Sequence, residues 1–286
     1  MSTFAEKIQK LLEQNCEYAP EIGIAIQQLP SESTADMKLF SYFLNEDSLM
    51  ATASTMKLFV LGALLEKSDR DGLDLDAFIT LKKEDITPGS GVLEHLTTGM
   101  TLTARDLATL MVIVSDNTAT NMCIDLCGGL PTVNAHIARL GIRNASVNRK
   151  IYDKSPNPLK KRLADVSAKA FSDYLIAIRC TNALSETGRN LFFNILKKNQ
   201  HKDMFGRFLP LEDYNEHDGN APSLMNKNGW SDGTRTDAGI LRLTDGREYS
   251  YSVLINKCRD MSYAVTNKGA ELIGRIGQIF YEEISN

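Results

Sequence analysis

The sequence lacks the features that mark several common classes of protein. It contains one tryptophan and four histidines, and no stripe of basic residues interleaved with aromatic ones. Its formal net charge is -4 at pH 7, so we expect no nucleic-acid partner. No apolar run approaches the roughly 20 residues that a membrane-spanning helix needs, so we expect no membrane partner either.

Export signals and metal-binding motifs are also missing. The first twenty residues hold no apolar signal-peptide core, and Phe4, Ile8 and Leu12 instead follow helical spacing. We therefore expect a cytoplasmic protein; a periplasmic or secreted location would require an export signal trimmed from this sequence. The histidines form no H-x-x-x-H pair and the five cysteines are scattered, so neither a metal nor a cofactor is expected.

The order of helical and strand patterns predicts the fold class. A first helix precedes a pair of strands, a long helical stretch follows, and three strands and a last helix close the chain. This order predicts an α/β fold of the α+β type, in which an antiparallel five-stranded sheet is flanked by the terminal helices and carries an inserted all-helical subdomain. The predicted strands cover 21–29, 38–46, 223–230, 237–244 and 248–258.

We expect the whole chain, 1–286, to form a single domain. Its α/β part would comprise 1–53 and 201–286, and its helical part 54–200. No internal repeat or low-complexity linker separates them. The sequence does not indicate an oligomeric state.

Three polar clusters stand out along the chain, although each has an ordinary explanation when taken alone. The first could be a serine N-cap with a solvated lysine, the second an Asn/Asp turn at a helix end, and the third a polar hairpin. The clusters are Ser54 with Lys57, then Ser115-Asp116-Asn117, then Lys227-Asn228-Gly229.

Taken in order, the clusters resemble a known set of motifs. They are similar to the S-x-x-K, S-D-N and K-T-G motifs of class A serine β-lactamases and penicillin-binding proteins, which include DD-peptidases. The surrounding segments ASTMKLFVLGALL (53–65) and LTTGMTLTARDLATLMVIVSDNTATN (96–121) also resemble the helices that carry the first two motifs in that family. The resemblance covers nearly the whole chain and implies the fold predicted above.

The chemistry of the first cluster can be argued from its residues alone. A serine hydroxyl is a weak nucleophile until a base takes its proton, and Lys57 lies one helical turn beyond Ser54 on the same face. Burial among apolar neighbours, with Lys227 nearby, would lower the pKa of Lys57 until its neutral amine could act as that base.

The resemblance implies further roles. Ser115 would relay the proton to the leaving nitrogen, and two backbone N–H groups, of Ser54 and Trp230, would form the oxyanion hole. Lys227 would attract a substrate carboxylate, Asn117 would hold the substrate's side-chain amide, and Arg235 would add a second cationic contact. The implied catalytic residues are Ser54, Lys57, Ser115 and Lys227, and the implied substrate-binding residues are Asn117, Asn228, Gly229, Trp230 and Arg235.

The chain departs from the class A pattern in the loop that should supply the deacylating glutamate. No glutamate occurs between Glu94 and Glu186, and the matching loop (145–161) offers Ile151 and Tyr152 where the acid is expected. Asp153 is the nearest carboxylate. Two readings of Tyr152 and Asp153 stay open: a role in deacylation, or a loop in which Asp153 pairs with a neighbouring basic residue.

Two other departures concern the third cluster. Asn228 replaces the threonine of K-T-G, and its bulkier amide would narrow the site. Trp230 stands where the family usually has a small residue, which indicates an enclosed or aryl-lined pocket.

These observations predict a serine hydrolase that forms an acyl-enzyme at Ser54 on a β-lactam or a related amide and deacylates slowly. A first alternative is an intracellular esterase, amidase or peptidase of the same fold. A second is a non-catalytic sensor that traps acyl ligands. In each case the expected partner is a small-molecule amide, ester or β-lactam.

Overall fold

The computed structural model describes residues 2–31, 38–153, 162–211 and 221–285. Within these ranges the chain forms eight α-helices: α1 (Phe4–Gln14), α2 (Lys57–Asp71), α3 (Ala104–Ile113), α4 (Asn117–Leu126), α5 (Leu130–Arg139), α6 (Ala168–Cys180), α7 (Glu186–Lys197) and α8 (Lys268–Ser285). It also forms ten strands: β1 (Glu21–Gln28), β2 (Ser41–Leu44), β3 (Met50–Ala51), β4 (Phe78–Thr80), β5 (Thr101–Thr103), β6 (Ala145–Val147), β7 (Ala164–Val166), β8 (Ser223–Ser231), β9 (Thr234–Arg242) and β10 (Glu248–Asn256).

Five strands form one antiparallel sheet in the order β2-β1-β10-β9-β8. The predicted fold class is therefore confirmed. The sequence overestimates the second strand, which covers only Ser41–Leu44, and helix α7 and the short strands β3 to β7 were not individually predicted.

The sheet is buried on both faces. Residues 22–26 of β1 and 249–256 of β10 are buried without alternation, the pattern of a sheet covered on both sides. One apolar core joins the sheet to α1 and α8, with Ile8, Phe280 and Tyr251 fully buried. A second core joins the opposite face to α2 and the other helices.

Helix α2 runs through the second core, and a buried polar cluster holds it there. His136 of α5 lies 3.0 Å from Glu66 of α2 and 3.0 Å from the hydroxyl of Tyr174 of α6. That hydroxyl donates to the carbonyl of Leu58 at 3.2 Å. A side chain at Gly62 would meet the same hydroxyl at 1.8 Å, so the absence of a Cβ makes room for the cluster. The start of α2 is thereby fixed relative to its neighbours.

Within the described ranges no helix is both long enough and apolar enough to cross a membrane.

Candidate active site

Ser54 lies in a tight turn directly before α2. Residues Ala53–Met56 form a 3₁₀ turn, and α2 begins at Lys57. Ala53 has a φ of 45°, in the left-handed region that a residue with a Cβ adopts only at a cost. The turn leaves Ser54 partly exposed to a cavity while its neighbours Thr55 and Lys57 are fully buried.

Lys57 is the most constrained side chain at the site. Its ammonium nitrogen donates three hydrogen bonds, at 2.6 Å to the carbonyl of Ser115, at 3.0 Å to Oγ of Ser115 and at 3.1 Å to Oδ1 of Asn117. An ammonium group has three donors, so all of them are used. The first two sequence clusters are thus joined directly.

The environment of Lys57 disfavours its charged form. Complete burial lowers the pKa of Lys57 well below its usual value, the nearby charge of Lys227 lowers it further, and Asp116 partly offsets both. This direction is the one expected from the sequence. The neutral amine that a general base requires is therefore accessible at Lys57.

The second cluster forms the junction between α3 and α4. Ser115 has a φ of 57°, and Asp116 caps α4 by accepting from the backbone N–H of Ala119 at 2.8 Å. The other carboxylate oxygen of Asp116 accepts from the N–H groups of Val92 at 2.7 Å and Leu93 at 2.8 Å. Both oxygens of the Asp116 carboxylate are thus bound by backbone N–H groups. They attach the loop formed by residues 88–96 to the α3–α4 junction.

Asn117 completes the attachment of that loop. Its backbone N–H donates to the carbonyl of Ser90 at 2.8 Å and its Nδ2 donates to the carbonyl of Pro88 at 2.9 Å. With Oδ1 bound to Lys57, the Asn117 amide bridges the loop and the lysine. Gly89 and Ser90 consequently line the cavity beside Ser54.

Lys227 lies in the middle of β8 and is fully buried. Its nitrogen donates to the carbonyl of Asn228 at 2.7 Å and to the side-chain Oδ1 of the same residue at 3.2 Å. Burial lowers the pKa of Lys227 to about 7, against the opposing effects of Asp237 and Asp203. The asparagine that replaces the family's threonine therefore holds the lysine with its own side chain.

Gly229 is required because β8 presses against the turn that carries Ser54. A Cβ on Gly229 would lie 2.5 Å from the carbonyl oxygen of Thr52 and 2.9 Å from the backbone nitrogen of Ser54. The hydroxyl of Thr236 on β9 donates to the same Thr52 carbonyl at 2.8 Å. This close approach brings the backbone around Trp230 to the turn that carries Ser54.

Trp230 lines the cavity and stacks on Tyr263 with a ring separation of 6.0 Å. The guanidinium of Arg235 lies behind the indole ring, 4.4 Å from its centroid, at cation–π distance. Tyr152 also lines the cavity, so three aromatic residues contribute to its wall. An aryl-lined pocket, as predicted from Trp230, is confirmed.

Arg235 does not reach the cavity. It is fully buried, and its donors go to the carbonyls of Ser231 at 2.7 Å and Ser262 at 2.6 Å, to that of Thr234, and to the side chain of Asn267. The second cationic contact expected of this residue therefore has no support in the geometry. Its charge is used to join the β8–β9 turn to the segment before α8.

The loop that should carry the deacylating acid is described up to residue 153, and residues 154–161 of the predicted loop lie outside the described ranges. Ile151 is buried, and Asn121 of α4 binds its backbone N–H at 3.0 Å and its carbonyl at 2.9 Å. Tyr152 follows with a φ of 51° and an exposed ring. Asp153 lines a neighbouring depression with Asp125 and Lys150 instead of the cavity that contains Ser54.

The cavity at Ser54 has a volume of about 730 Å³. It brings together the predicted residues Ser54, Ser115, Asn117, Asn228, Trp230 and Tyr152. Asp153 and Arg235 are not among the residues that line it. Lys57, Lys227 and Gly229 do not line it either, but the two lysines are hydrogen-bonded to residues that do.

The sequence analysis missed several residues of the cavity wall, namely Leu163, His201, Asp203, Ser231 and Tyr263. Burial and the charges of Lys227 and Lys57 lower the pKa of His201, so this imidazole is neutral at pH 7. Oδ1 of Asp203 and Nε of Arg149 are buried without a hydrogen-bond partner. His201 and Asp203 follow α7 in a segment without regular structure, and no motif marks them in the sequence.

Across the part of the chain that the structure describes, no group of three or more His, Cys, Asp or Glu side chains could hold a metal ion. Cys123 and Cys127, one turn apart on α4, are buried, and burial raises the pKa of both thiols, to about 11 for Cys127. Both cysteines are therefore protonated core residues at neutral pH.

The fold and the ordered clusters define a protein of the class that comprises β-lactamases and penicillin-binding proteins. Residues 3–284 match the beta-lactamase enzyme family, and the chain belongs to that family. A β-lactamase from Bacteroides uniformis is 25% identical over 253 residues, which cover 80% of this chain and 77% of the relative.

Solved structures agree with this assignment. A β-lactamase from Sphaerobacter thermophilus superposes with a TM-score of 0.83 and 26% identity, covering 99% of this chain and 98% of the other. PBP-A superposes with a TM-score of 0.78 at 22% identity, covering 100% of this chain and 97% of the other, a likeness of fold. The predicted family resemblance is confirmed.

Proposed function

We propose that this protein is a serine hydrolase that forms an acyl-enzyme at Ser54 on a β-lactam or a related amide and deacylates slowly. The observation that carries the proposal is the placement of Lys57, a fully buried amine bound to both Ser115 and Asn117 and one residue beyond the turn that exposes Ser54. Membership of the beta-lactamase enzyme family supports the same chemistry.

In the acylation step, the neutral amine of Lys57 takes the proton of Ser54 Oγ as that oxygen bonds to the substrate carbonyl carbon. The C–N bond then breaks, and the proton passes from Lys57 through the hydroxyl of Ser115 to the leaving nitrogen. The lysine amine is regenerated, and the acyl group remains on Ser54.

The negative charge that develops on the carbonyl oxygen needs fixed donors. The backbone N–H groups of Ser54 and Trp230 are the candidates, because Gly229 allows β8 to approach the nucleophile turn closely. Loss of a single donor of this kind typically costs a factor of about 10² to 10³ in rate.

We expect slow deacylation because Ile151 stands where the family has its deacylating glutamate. Ile151 is apolar and anchored by Asn121, and Asp153 lies on the wall of a different depression. A general base typically contributes a factor of about 10² to 10⁴. Hydrolysis of the acyl-enzyme without that base would be slower than in the glutamate-bearing relatives by a similar factor.

A specific observation favours the first alternative, an esterase, amidase or peptidase of the same fold. Arg235 is withdrawn from the cavity, and Lys227 is held by Asn228, so the wall where a β-lactam carboxylate would bind offers less free positive charge than the motif suggests. The acyl-trapping sensor is the second alternative, since it shares the acylation step with the proposed hydrolase. We also retain the cytoplasmic location as a proposal.

The deciding experiment incubates the full chain with benzylpenicillin and with an activated ester and records intact mass and product burst. We expect one covalent adduct per chain and a burst followed by slow turnover. Ser54→Ala should abolish both, whereas Ser68→Ala, the same change further along α2, should retain them. A chain that stays unmodified with every probe would contradict the proposal. Rapid turnover of the ester without turnover of the β-lactam would select the first alternative. An adduct that is never released would select the sensor.

A further inference from the structure

Two buried hydroxyl groups join the sheet to the turn that carries Ser54. Oγ1 of Thr236 on β9 donates to the carbonyl oxygen of Thr52 at 2.8 Å and lies 2.7 Å from Oγ1 of Thr55. A hydroxyl has one proton, so Thr55 is the donor in the contact between the two hydroxyls. Thr55 and Thr236 are fully buried and lie 181 residues apart in the sequence. The fold alone therefore brings them together.

This link lies where β8 and the turn press against each other. Thr236 is the β9 residue that pairs with Gly229 of β8. A Cβ on Gly229 would lie 2.5 Å from the Thr236 hydroxyl and 2.5 Å from the Thr52 carbonyl oxygen. Of the two proposed oxyanion donors, the N–H of Ser54 belongs to the turn, and the N–H of Trp230 belongs to the residue after Gly229. The link therefore joins the two segments whose spacing defines the oxyanion hole.

The turn depends on contacts from outside because its own backbone is strained. Ala53 has a φ of 45°, a left-handed value that a residue with a Cβ holds only where its surroundings fix it. The hydroxyl of Thr52, at the cap position, donates to the carbonyl of Ala53 at 3.1 Å and does not cap the turn. The N–H of Thr55 binds the Thr52 carbonyl from within the turn at 3.1 Å. Among the described residues, the Thr236 hydroxyl is the donor that reaches this carbonyl from outside.

We propose that Thr236 is a positioning residue whose hydroxyl sets the spacing of the two oxyanion donors. The inference rests on the acyl-enzyme chemistry proposed above. Thr236 is not among the residues that line the cavity, so it acts through the turn and not on the substrate. A misplacement of about 1 Å at a reacting centre costs a factor of about 10² in rate. Loss of the hydroxyl should therefore slow acylation while the cavity still binds the substrate.

Three substitutions separate the hydroxyl of Thr236 from its volume. Thr236→Val keeps the shape without the donor, Thr236→Ala removes the donor without adding a methyl group, and Thr236→Ser keeps the donor. Stopped-flow measurements with 4-nitrophenyl phenylacetate give the acylation rate constant and the Kd separately. We expect the rate constant to fall by about ten- to a hundredfold in the valine and alanine variants and by less than about threefold in the serine variant. The Kd should change by less than about threefold in all of them.

A sulfur probe tests whether the loss lies in the oxyanion donors. In the thionoester of the same compound, sulfur replaces the carbonyl oxygen. Sulfur is a weak hydrogen-bond acceptor, so its reaction gains less from donors placed for an oxyanion. We expect the ratio of the ester rate to the thionoester rate to fall about tenfold in Thr236→Val and to recover in Thr236→Ser. Equal losses for both compounds would assign Thr236 a purely structural role and overturn the proposal.

Ser250 offers a control with the same kind of hydrogen bonds. Its hydroxyl accepts from the hydroxyl of Ser172 at 3.0 Å and donates to the carbonyl of Ser172 at 3.1 Å. Ser250 is fully buried in β10 and is not among the residues that line the cavity. Ser250→Ala should lower the melting temperature as Thr236→Ala does, yet keep acylation within about twofold of wild type. An equal loss of acylation in the two variants would mean that any weakening of the sheet slows the reaction, which would overturn the proposal.

The wild-type protein distinguishes failure of this inference from failure of the proposed function. If the wild-type chain forms no adduct with either ester or with benzylpenicillin, the proposed function fails and the inference fails with it. If the wild-type chain is acylated and Thr236→Val is acylated at the same rate, the positioning role fails while the proposed function stands. If thermal melting shows that the valine variant does not fold, the alanine variant decides by the same criterion.

Discussion

The amine of Lys57 and the hydroxyl oxygen of Ser115 lie 3.0 Å apart, and this hydroxyl differs in kind from the lysine's other two partners. The Ser115 carbonyl and Asn117 Oδ1 can only accept a hydrogen bond, whereas a hydroxyl can also donate. When Lys57 loses a proton, the Ser115 hydroxyl can turn and donate to the amine. Deprotonation therefore leaves no acceptor at the site unsatisfied, and in the proposed acylation the same contact would provide the path of the proton.

Lys57→Met should suppress acylation and lower the stability of a protein that still folds. Removing a general base costs a rate factor of about 10² to 10⁴. The methionine fills the space of the lysine but leaves the Ser115 carbonyl and Asn117 Oδ1 without their donor, so we also expect the free energy of unfolding to fall by about 1–3 kcal/mol for each buried acceptor that stays unsatisfied. Stopped-flow adduct formation and thermal melting measure the two effects. Lys67→Met, on the exposed end of α2, is the control and should acylate normally. Normal acylation by Lys57→Met would show that another group is the base.

Ile151→Glu should accelerate release of the acyl group. The side chain at 151 lines the cavity, and Asn121 fixes its backbone on both sides, so a carboxylate there can activate a water molecule. We expect the deacylation rate after a penicillin burst to rise by about 10². Ile151→Gln has the same shape without the base and should leave the rate unchanged. An equal rate in the two variants would mean that the loop directs this position away from the acyl carbonyl.

Gly229→Ala should damage both stability and acylation. A methyl group there would overlap the Thr52 carbonyl at 2.5 Å, and forcing such a group into a packed position typically costs about 1–3 kcal/mol. Pushing β8 away from the turn that carries Ser54 would also displace the proposed oxyanion donors, so acylation should fall by about 10² or more. Gly246→Ala, in a turn with φ of 88° and open space around it, is the control. It should lower the melting temperature alone.

The titration of Lys227 should make the free energy of unfolding rise with pH across the alkaline range. Its pKa is about 7 in the folded protein, against about 10.4 for an ordinary lysine in the unfolded chain. Between these values the unfolded chain binds more protons, so the free energy of unfolding increases with pH by up to about 1.4 kcal/mol per unit from this residue. Urea unfolding of Lys227→Met from pH 7 to 9.5 should show a correspondingly shallower rise.

The control for this prediction is Lys169→Met, which removes a partly exposed lysine of α6 and should keep the wild-type slope. The same titration affects binding. Above pH 7 the charge of Lys227 is lost, and the KM of an anionic substrate should increase. A pH-independent difference in stability between wild type and Lys227→Met would refute the lowered pKa.

The sequence predicts the fold and the centre of the site because both depend on local patterns. Apolar strands at the two ends of the chain require each other as partners, and Ser54 and Lys57 are brought together by their spacing alone. The link from Lys57 to Ser115 was expected only from the resemblance, since it depends on how α2 packs against the α3–α4 junction.

The outer parts of the site could not be predicted in this way. Arg235 forms its hydrogen bonds mainly with backbone carbonyls, and these carry no sequence signature, so its withdrawal from the cavity is visible only in three dimensions. Asp203 and His201 lie in an irregular segment that is held by hydrogen bonds between His201 and the side chains of Asn199 and Asn226, and between the backbone N–H of Phe205 and Asp237. Their place in the cavity wall follows from the course of that segment, and no periodic pattern in the sequence encodes it.

The position of Arg235 has a consequence for how the specificity of this protein can change. One guanidinium joins the two segments that carry Trp230 and Tyr263, so both aromatic walls depend on a single buried side chain outside the cavity wall. A substitution at Arg235 would loosen both walls at once while leaving Ser54, Lys57 and Ser115 in place. Under selection for bulkier substrates, the pocket could therefore widen in one mutational step without passing through an inactive form.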